Sequence, residues 1–277
     1  MGERERILIT VKTYPTLSTK YGETVCTAGI RPDGSWVRLY PVPFRRLDQK
    51  QQYNKYDWLE CRIIKHTQRD RRPESFRPLD DAELVAVEKM DTGKKRDWRA
   101  RRELVLEKGK VYDSLDELIA GSSDNKLSLG TFRPTTVDEF IIEEDEREWD
   151  ETKLAKMRQG LDQFELFSDN EWRETFKVVK KLPYKFSYRF TDVNGRESTL
   201  QVLDWELGAL YWNCLRDAEG DEETALAKVR QKYFDEFTNK DLHFFMGTTL
   251  AWHFRAPNPW QIIGVFYPPR RPQIELF

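Results

Sequence analysis

The sequence predicts an α+β protein in which a small β-rich barrel precedes a mixed α/β unit. Three observations carry this. The first sixty-five or so residues alternate apolar and polar side chains between closely spaced turns, the pattern of short strands in a barrel. Helical spacing, with apolar residues three and four apart, begins only near residue 97. Strand patterns then return after residue 184, on either side of two helical stretches.

The elements follow in order. Residues 6–13 (RILITVKT) alternate with β-branched positions and are stopped by Pro15. Residues 23–30 (ETVCTAGI) form a second strand, and Arg31-Pro32-Asp33-Gly34 is a turn in which Pro presets φ and Gly accepts a positive one. Residues 35–40 (SWVRLY) return as the hairpin partner, with Trp36, Arg38 and Tyr40 on one face and Val37 and Leu39 on the other. A fourth strand, 56–65, sets Trp58, Glu60 and Arg62 against Leu59, Cys61 and Ile63. Residues 97–107 read as a helix, and Asp113-Ser114 caps a short one ending at Gly121. Residues 122–134 read as a loop and 150–181 as a helix. The Asn194-Gly195 pair joins two strands, 184–190 and 198–203, as a hairpin. Asp204 then caps a helix, 221–237 forms another, and the apolar runs 242–249 and 260–267 close the chain as strands. The domains expected are a barrel over 1–85, a basic-to-acidic helical connection over 86–149, and a mixed α/β domain over 150–277.

Composition sets the class. A chain of 277 residues is long enough for two domains, and 9 Trp, 11 Tyr and 16 Phe supply core despite 34% charged residues. No apolar run approaches the roughly eighteen residues of a membrane helix, and the charged N-terminus enters a strand at once. Three scattered cysteines argue against a disulfide framework, so a reducing, cytoplasmic setting is expected. The net charge of −2 hides an asymmetry: residues 1–110 carry 25 basic against 17 acidic groups, and the remainder 21 against 31. Residues 62–77 and 89–102 hold most of the basic excess, and 138–151 carry nine acids with one Arg. Such a split points to a polyanion-binding first half. The acidic run reads as a solvated helix face or linker, or as an internal nucleic-acid mimic or a surface for a basic partner.

A resemblance sharpens this. Val25-Cys26-Thr27-Ala28-Gly29-Ile30, Asp33-Gly34-Ser35-Trp36-Val37-Arg38-Leu39, Asp57 in Tyr56-Asp57-Trp58, and Pro73-Glu74-Ser75 resemble the motifs of dual-OB-type domains of bacterial conflict and nucleic-acid systems. The likeness covers about residues 5–80. It departs at Leu39-Tyr40-Pro41 and at Ser75, where an Asn or Tyr is more usual. The remainder resembles uncharacterised bacterial proteins. The resemblance implies an OB-like barrel that engages nucleic acid, in a genome-defence or DNA-modification setting. It implies no reaction.

OB barrels stack bases on exposed aromatics while Lys and Arg follow the backbone. The candidate contacts are therefore Trp36, Arg38 and Tyr40 on one strand face, Arg45 and Arg46 after it, and Arg69, Arg71 and Arg72 in a polar loop. The dense cluster Lys94, Lys95, Arg96, Arg99, Arg101 and Arg102 completes the set. These residue types fit DNA and RNA alike. In the C-terminal segment, Gly247 and Gly264 with Trp252 and Trp260 fit either tight strand packing or the walls of a nucleobase site.

Catalytic patterns are few. The three histidines, His66, His243 and His253, have no metal-ligand spacing, and phosphate loops and nucleophile elbows are missing. No metal or other cofactor is expected. Asp192, Glu197, Asp204 and Glu206 form the one carboxylate cluster that could hold Mg²⁺. A nuclease built on Asp192, Asp204 and Glu206 lacks the following Lys, because Leu207-Gly208 stands there. The reading is thus a non-enzymatic nucleic-acid recognition protein, with two alternatives: that nuclease, and an assembly subunit that docks a basic partner through 138–151.

Overall fold

The computed structural model describes residues 3–18, 22–42, 44–47, 52–66, 70–80, 84–164 and 178–270. The side chains of residues 3, 46 and 160–164 also lie outside the described set.

The N-terminal strands close into a barrel. β1 (Glu3–Lys12), β3 (Gly22–Ile30), β4 (Trp36–Val42), β6 (Ser75–Pro78) and β5 (Asp57–Lys65) are neighbours in that order, and β5 pairs back onto β1. All contacts are antiparallel except β4 with β6. This Greek-key closure is compatible with an OB-like barrel. β2 (Thr16–Ser18) adds to β3, and β7 (Val85–Lys89) extends the sheet beyond β5. The alternation read in the sequence sorts the faces: Ile7, Ile9, Val25, Val37, Leu39, Leu59, Cys61 and Ile63 fill the interior. At the β3–β4 turn Gly34 has φ +91°, and a Cβ there would lie 2.4 Å from the Lys108 carbonyl carbon. Only glycine satisfies both the turn and that close approach.

A short helix, α1 (Arg99–Arg102), runs into a wider π-type turn over Glu103–Lys108. The second unit has two sheets. β10 (Thr136–Glu144), β11 (Tyr184–Thr191) and β12 (Glu197–Gln201) make one, and β14 (Trp260–Phe266), β13 (His243–Thr248), β9 (Leu129–Phe132) and β8 (Val111–Tyr112) the other. With α2 (Leu115–Ser123), α4 (Trp205–Asp217) and α5 (Glu222–Arg230) they enclose an aromatic core that includes Phe132, Phe140, Phe186, Tyr188, Phe190, Tyr211 and Phe244. α3 (Glu151–Phe164) lies against β2 and β3. Asp204 caps α4 through Glu206 N, at 3.1 Å, and Asp221 caps α5 through Glu223 N, at 3.1 Å.

The stretch 86–149 is not a helical connection. Its start is β7 of the barrel, and its end supplies β8, α2, β9 and β10 to the second unit. Residues 129–132 are a strand rather than a loop, buried between β8 and β13. The acidic run is largely strand β10, because Thr136, Val137, Ile141 and Ile142 favour a pleated, half-buried surface. Its acids find partners, Glu139 with Arg189 and Asp145 with Lys181 and Lys185. Of the helix expected over 150–181, Glu151–Phe164 forms α3, residues 178–181 have no regular secondary structure, and 165–177 lie outside the described residues.

The two units share a core. The outward faces of β1, β3, β4 and β5 contribute Leu8, Val11, Ala28, Ile30, Trp36 and Trp58, and the second unit answers with Leu129, Phe245, Ile263 and Phe266. Backbone contacts tie the seam as well, since Tyr14 N donates to Leu203 O at 2.8 Å and Thr13 bridges to Asp204.

Candidate functional site

The covered barrel face changes the standing of several sequence candidates. Trp36 is 9% exposed and meets Phe245 edge-on, with ring centroids 5.3 Å apart. Arg38 is 1% exposed. Its guanidinium donates to Ser75 Oγ at 3.1 Å, Ser128 Oγ at 2.7 Å and Ser128 O at 2.9 Å. Arg72 forks onto both Asp70 oxygens, at 2.9 and 2.6 Å, and also donates to the Thr248 carbonyl. Burial alone would raise the Asp70 carboxyl, but hydrogen bonds and charge from Arg72 hold it at about 2. Glu74 completes the network by accepting from Ser128 N and Oγ. Exposing Trp36, Leu129, Phe245, Ile263 and Phe266 would cost roughly 10 kcal/mol, at about 1.5–3 kcal/mol for each large apolar side chain. A stacked base returns about 1–3 kcal/mol. Trp36 and Arg38 are therefore structural cement between the units rather than a face open to a strand.

The basic cluster divides. Arg101 lies over the Tyr56 ring at 3.6 Å and donates to Met90 O, while Arg102 pairs with Asp241 at 2.8 Å and donates to Pro269 O. Both are buried, so neither is a phosphate contact. Lys94, Lys95, Arg96 and Arg99 are exposed, as is Arg71. Arg45 pairs with Glu23. Arg69 and the Arg46 side chain lie outside the described residues. Tyr40 is half-buried and faces a cleft.

One surface was singled out from the sequence only through Trp252 and Arg71, and not as a unit. The loop after β13 folds into a tight turn in which His253 N donates to Thr249 O at 2.9 Å and Arg255 N to Trp252 O at 3.0 Å. His253 points inward, 2% exposed, with Nδ1 2.9 Å from Thr248 Oγ1 and Nε2 3.0 Å from Asn125 Oδ1. Burial, together with Arg72 and Arg38, pulls its pKa down to about 4. Locking His253 inward displays its neighbours: Trp252 is 58% and Phe254 55% exposed, with Arg255 also at the surface. Asn125 links this loop to the one bearing Arg71, because its Nδ2 donates to Arg71 O at 3.2 Å. Lys126, next in the chain, is exposed too. The sequence signal was the run Leu250–Phe254, whose aromatics flank a lone His between Thr-Thr and Pro-Asn-Pro. Trp260, by contrast, is fully buried and donates to Ser122 Oγ at 3.2 Å, and Gly247 and Gly264 serve strand packing against Ile263 and Phe245.

Beside this rim lies a cleft of about 370 Å³ between barrel and second unit. Tyr14, Tyr40, Trp149 and Phe186 are among its walls, and Thr249, Leu250 and Arg72 connect it to the rim. Its charged groups are paired internally, Lys181 and Lys185 with Asp145 and Arg72 with Asp70.

The carboxylates of the nuclease reading are not brought together. Asp192 accepts from Leu115 N at 3.0 Å and from Asn194 N and Arg196 N, both at 2.9 Å, so it caps α2 and fixes the β11–β12 turn. Asp204 and Glu206 instead meet Lys55 of the barrel, at 3.4 and 3.0 Å. Burial lifts the Asp204 carboxyl to about 6, whereas Lys55 draws Glu206 down. Burial alone would lower the Lys55 ammonium, but the two acids keep it well above its ordinary value. Among the described residues no three His, Cys, Asp or Glu side chains converge on a metal position.

A family model described as "Domain of unknown function (DUF8758)" matches residues 3–107, and one described as "Domain of unknown function (DUF8757)" matches residues 111–277. The border between them falls where the π-type turn meets β8. No curated protein and no solved structure matches the chain.

Proposed function

The chain belongs to the family described as "Domain of unknown function (DUF8757)", and we propose that it binds single-stranded nucleic acid along the rim formed by loops 70–74, 124–126 and 249–256. The observation that carries this reading is the exposure of Trp252 and Phe254 on either side of the locked His253. Arg255, Arg71 and Lys126 lie in the same hydrogen-bonded unit. Stacking platforms with nearby cations are how proteins hold single strands without reading base edges. The exposed group Lys94, Lys95, Arg96 and Arg99 supplies charge without a free ring, since Trp98 packs on Tyr56, Phe266 and Tyr267. It suits backbone contacts alone. A recognition role in a bacterial genome-defence or DNA-modification system rests on the dual-OB resemblance of the barrel.

The test is fluorescence anisotropy of labelled single-stranded DNA, single-stranded RNA and duplex DNA at several salt concentrations. The expected result is tighter binding to single strands, with log affinity falling by about two per tenfold rise in salt, for three phosphates at about 0.7 each. Trp252→Ala with Phe254→Ala weakens binding at least tenfold, at about 1–3 kcal/mol per stacked base. Absence of binding to all three, or binding unchanged in the double variant, overturns the proposal.

A further inference from the structure

We infer that the cleft beside the rim takes one unstacked base of the bound strand and distinguishes it from the others. This rests on the strand-binding reading and adds a selective subsite to it. The argument begins from polar groups without partners. Thr249 Oγ1 is buried with no hydrogen bond, and the half-buried Tyr40 hydroxyl and Gln201 carboxamide, which also line the cleft, make none among the described residues. A buried hydroxyl left unpaired is costly, and native proteins leave few of them. An occupant with a donor–acceptor edge would satisfy all three groups, since hydroxyl and carboxamide can each donate and accept.

Charge then selects the occupant. Every charged side chain at the cleft already has an opposite partner: Lys181 and Lys185 share Asp145, Arg72 holds Asp70, and Asp204 faces Lys55. A phosphate would find no free cation inside, whereas a neutral planar heterocycle loses nothing. The walls favour a flat ring, because Tyr14, Tyr40, Trp149 and Phe186 offer aromatic surface. At about 370 Å³ the space is near the lower end of small-molecule sites, enough for one base with its sugar and too small for a stacked pair. The path is continuous, for Leu250 and Thr249 at the cleft and Trp252 at the rim belong to one loop. A strand stacked on Trp252 and Phe254 thus passes the mouth, and turning one base inward requires only unstacking it.

The experiment has two arms, both on the full chain. In the first, anisotropy compares four homopolymer 12-mers and versions with one abasic position in each. In the second, the four uncharged nucleosides are titrated and followed by saturation-transfer NMR. The expected outcome is one preferred base, about a tenfold penalty for the abasic strand, and binding of the matching nucleoside. Thr249→Val and Gln201→Leu abolish the preference while thermal unfolding stays near wild type. Trp252→Ala with Phe254→Ala weakens the strand but leaves the nucleoside signal. Equal affinity for all strands, no abasic penalty and no nucleoside signal overturn the cleft inference, and the rim reading survives if its own double variant still weakens binding. If no strand binds, the rim reading has failed, and the inference of a base subsite for a bound strand falls with it.

Discussion

The outer face of β4 and the loop 249–256 carry the same kinds of residue and have opposite fates. On β4, Trp36 and Arg38 are closed off beneath β9, β13 and β14. On the loop, Trp252, Phe254 and Arg255 stand in solvent because His253 between them is pinned from both ring nitrogens. Exposure is therefore not a property of Trp and Arg lying close in sequence; what packs on the segment decides it. In this molecule the sheet of the second unit takes the face that an OB-like barrel would otherwise present, and the accessible aromatics move to the seam's edge.

The largest way to break the contrast is at Arg38. Arg38→Met strips Ser75 Oγ, Ser128 Oγ and the Ser128 carbonyl of the donor they share and leaves Asp70 and Glu74 with less countercharge. Removing one partner from such a buried network costs about 3–5 kcal/mol, which urea unfolding will read directly. Trp252→Ala, in the exposed region, should change stability by no more than about 0.5 kcal/mol. Equal effects would mean that the two sites are not different in kind.

Next in size is pH. The His253 pKa of about 4 lies below the 6.5 of an unfolded histidine, so the unfolded chain takes up the proton first. Stability from this group is complete above pH 6.5 and is lost as pH falls toward 4, by up to about 3 kcal/mol. Asp204, raised to about 6, acts oppositely, its contribution fading as pH rises through that value. Comparing wild type with His253→Gln by urea unfolding between pH 6.5 and 4.5 separates them, and the variant should lose the acid sensitivity attributable to the histidine.

The smallest effect concerns the second exposed basic patch. Trp260 lies by the rim and Phe266 by Trp98, so the patches sit at opposite ends of β14, about 20 Å apart at about 3.4 Å per residue. Lys94→Ala, Lys95→Ala or Arg96→Ala should each lower the salt slope for long strands by about one or less and leave short strands untouched. Loss of short-strand binding in any of them would shift the site to that patch.

Much of this architecture was legible from local pattern. Alternation over β1, β3, β4 and β5 sorted Val37 and Leu39 from Trp36 and Arg38 correctly, and the Asp204 cap and the Asn194-Gly195 turn fell where capping and turn chemistry put them. Period-two reading finds two faces, but it does not say which is covered. The groups that bury Arg38, Ser128 and Thr248, lie 90 and 210 residues away. The same limit hid the separation of Asp192 from Asp204, since Asp192 is spent on α2 across 77 residues. In β10 the acidic side chains masked a strand whose β-branched positions held the signal. The rim loop was only partly legible: Trp252 fitted strand packing as well as a ligand wall, and the pinned His253 explains how it and Phe254 face out.

The most direct measurement is ultraviolet crosslinking of a bromouridine-substituted single strand to the full chain, with the attached peptide identified by mass spectrometry. Crosslinks at Trp252 or Phe254, with none at Trp36, are the expected result. Crosslinks at Trp36, or confined to residues 94–99, would contradict the account.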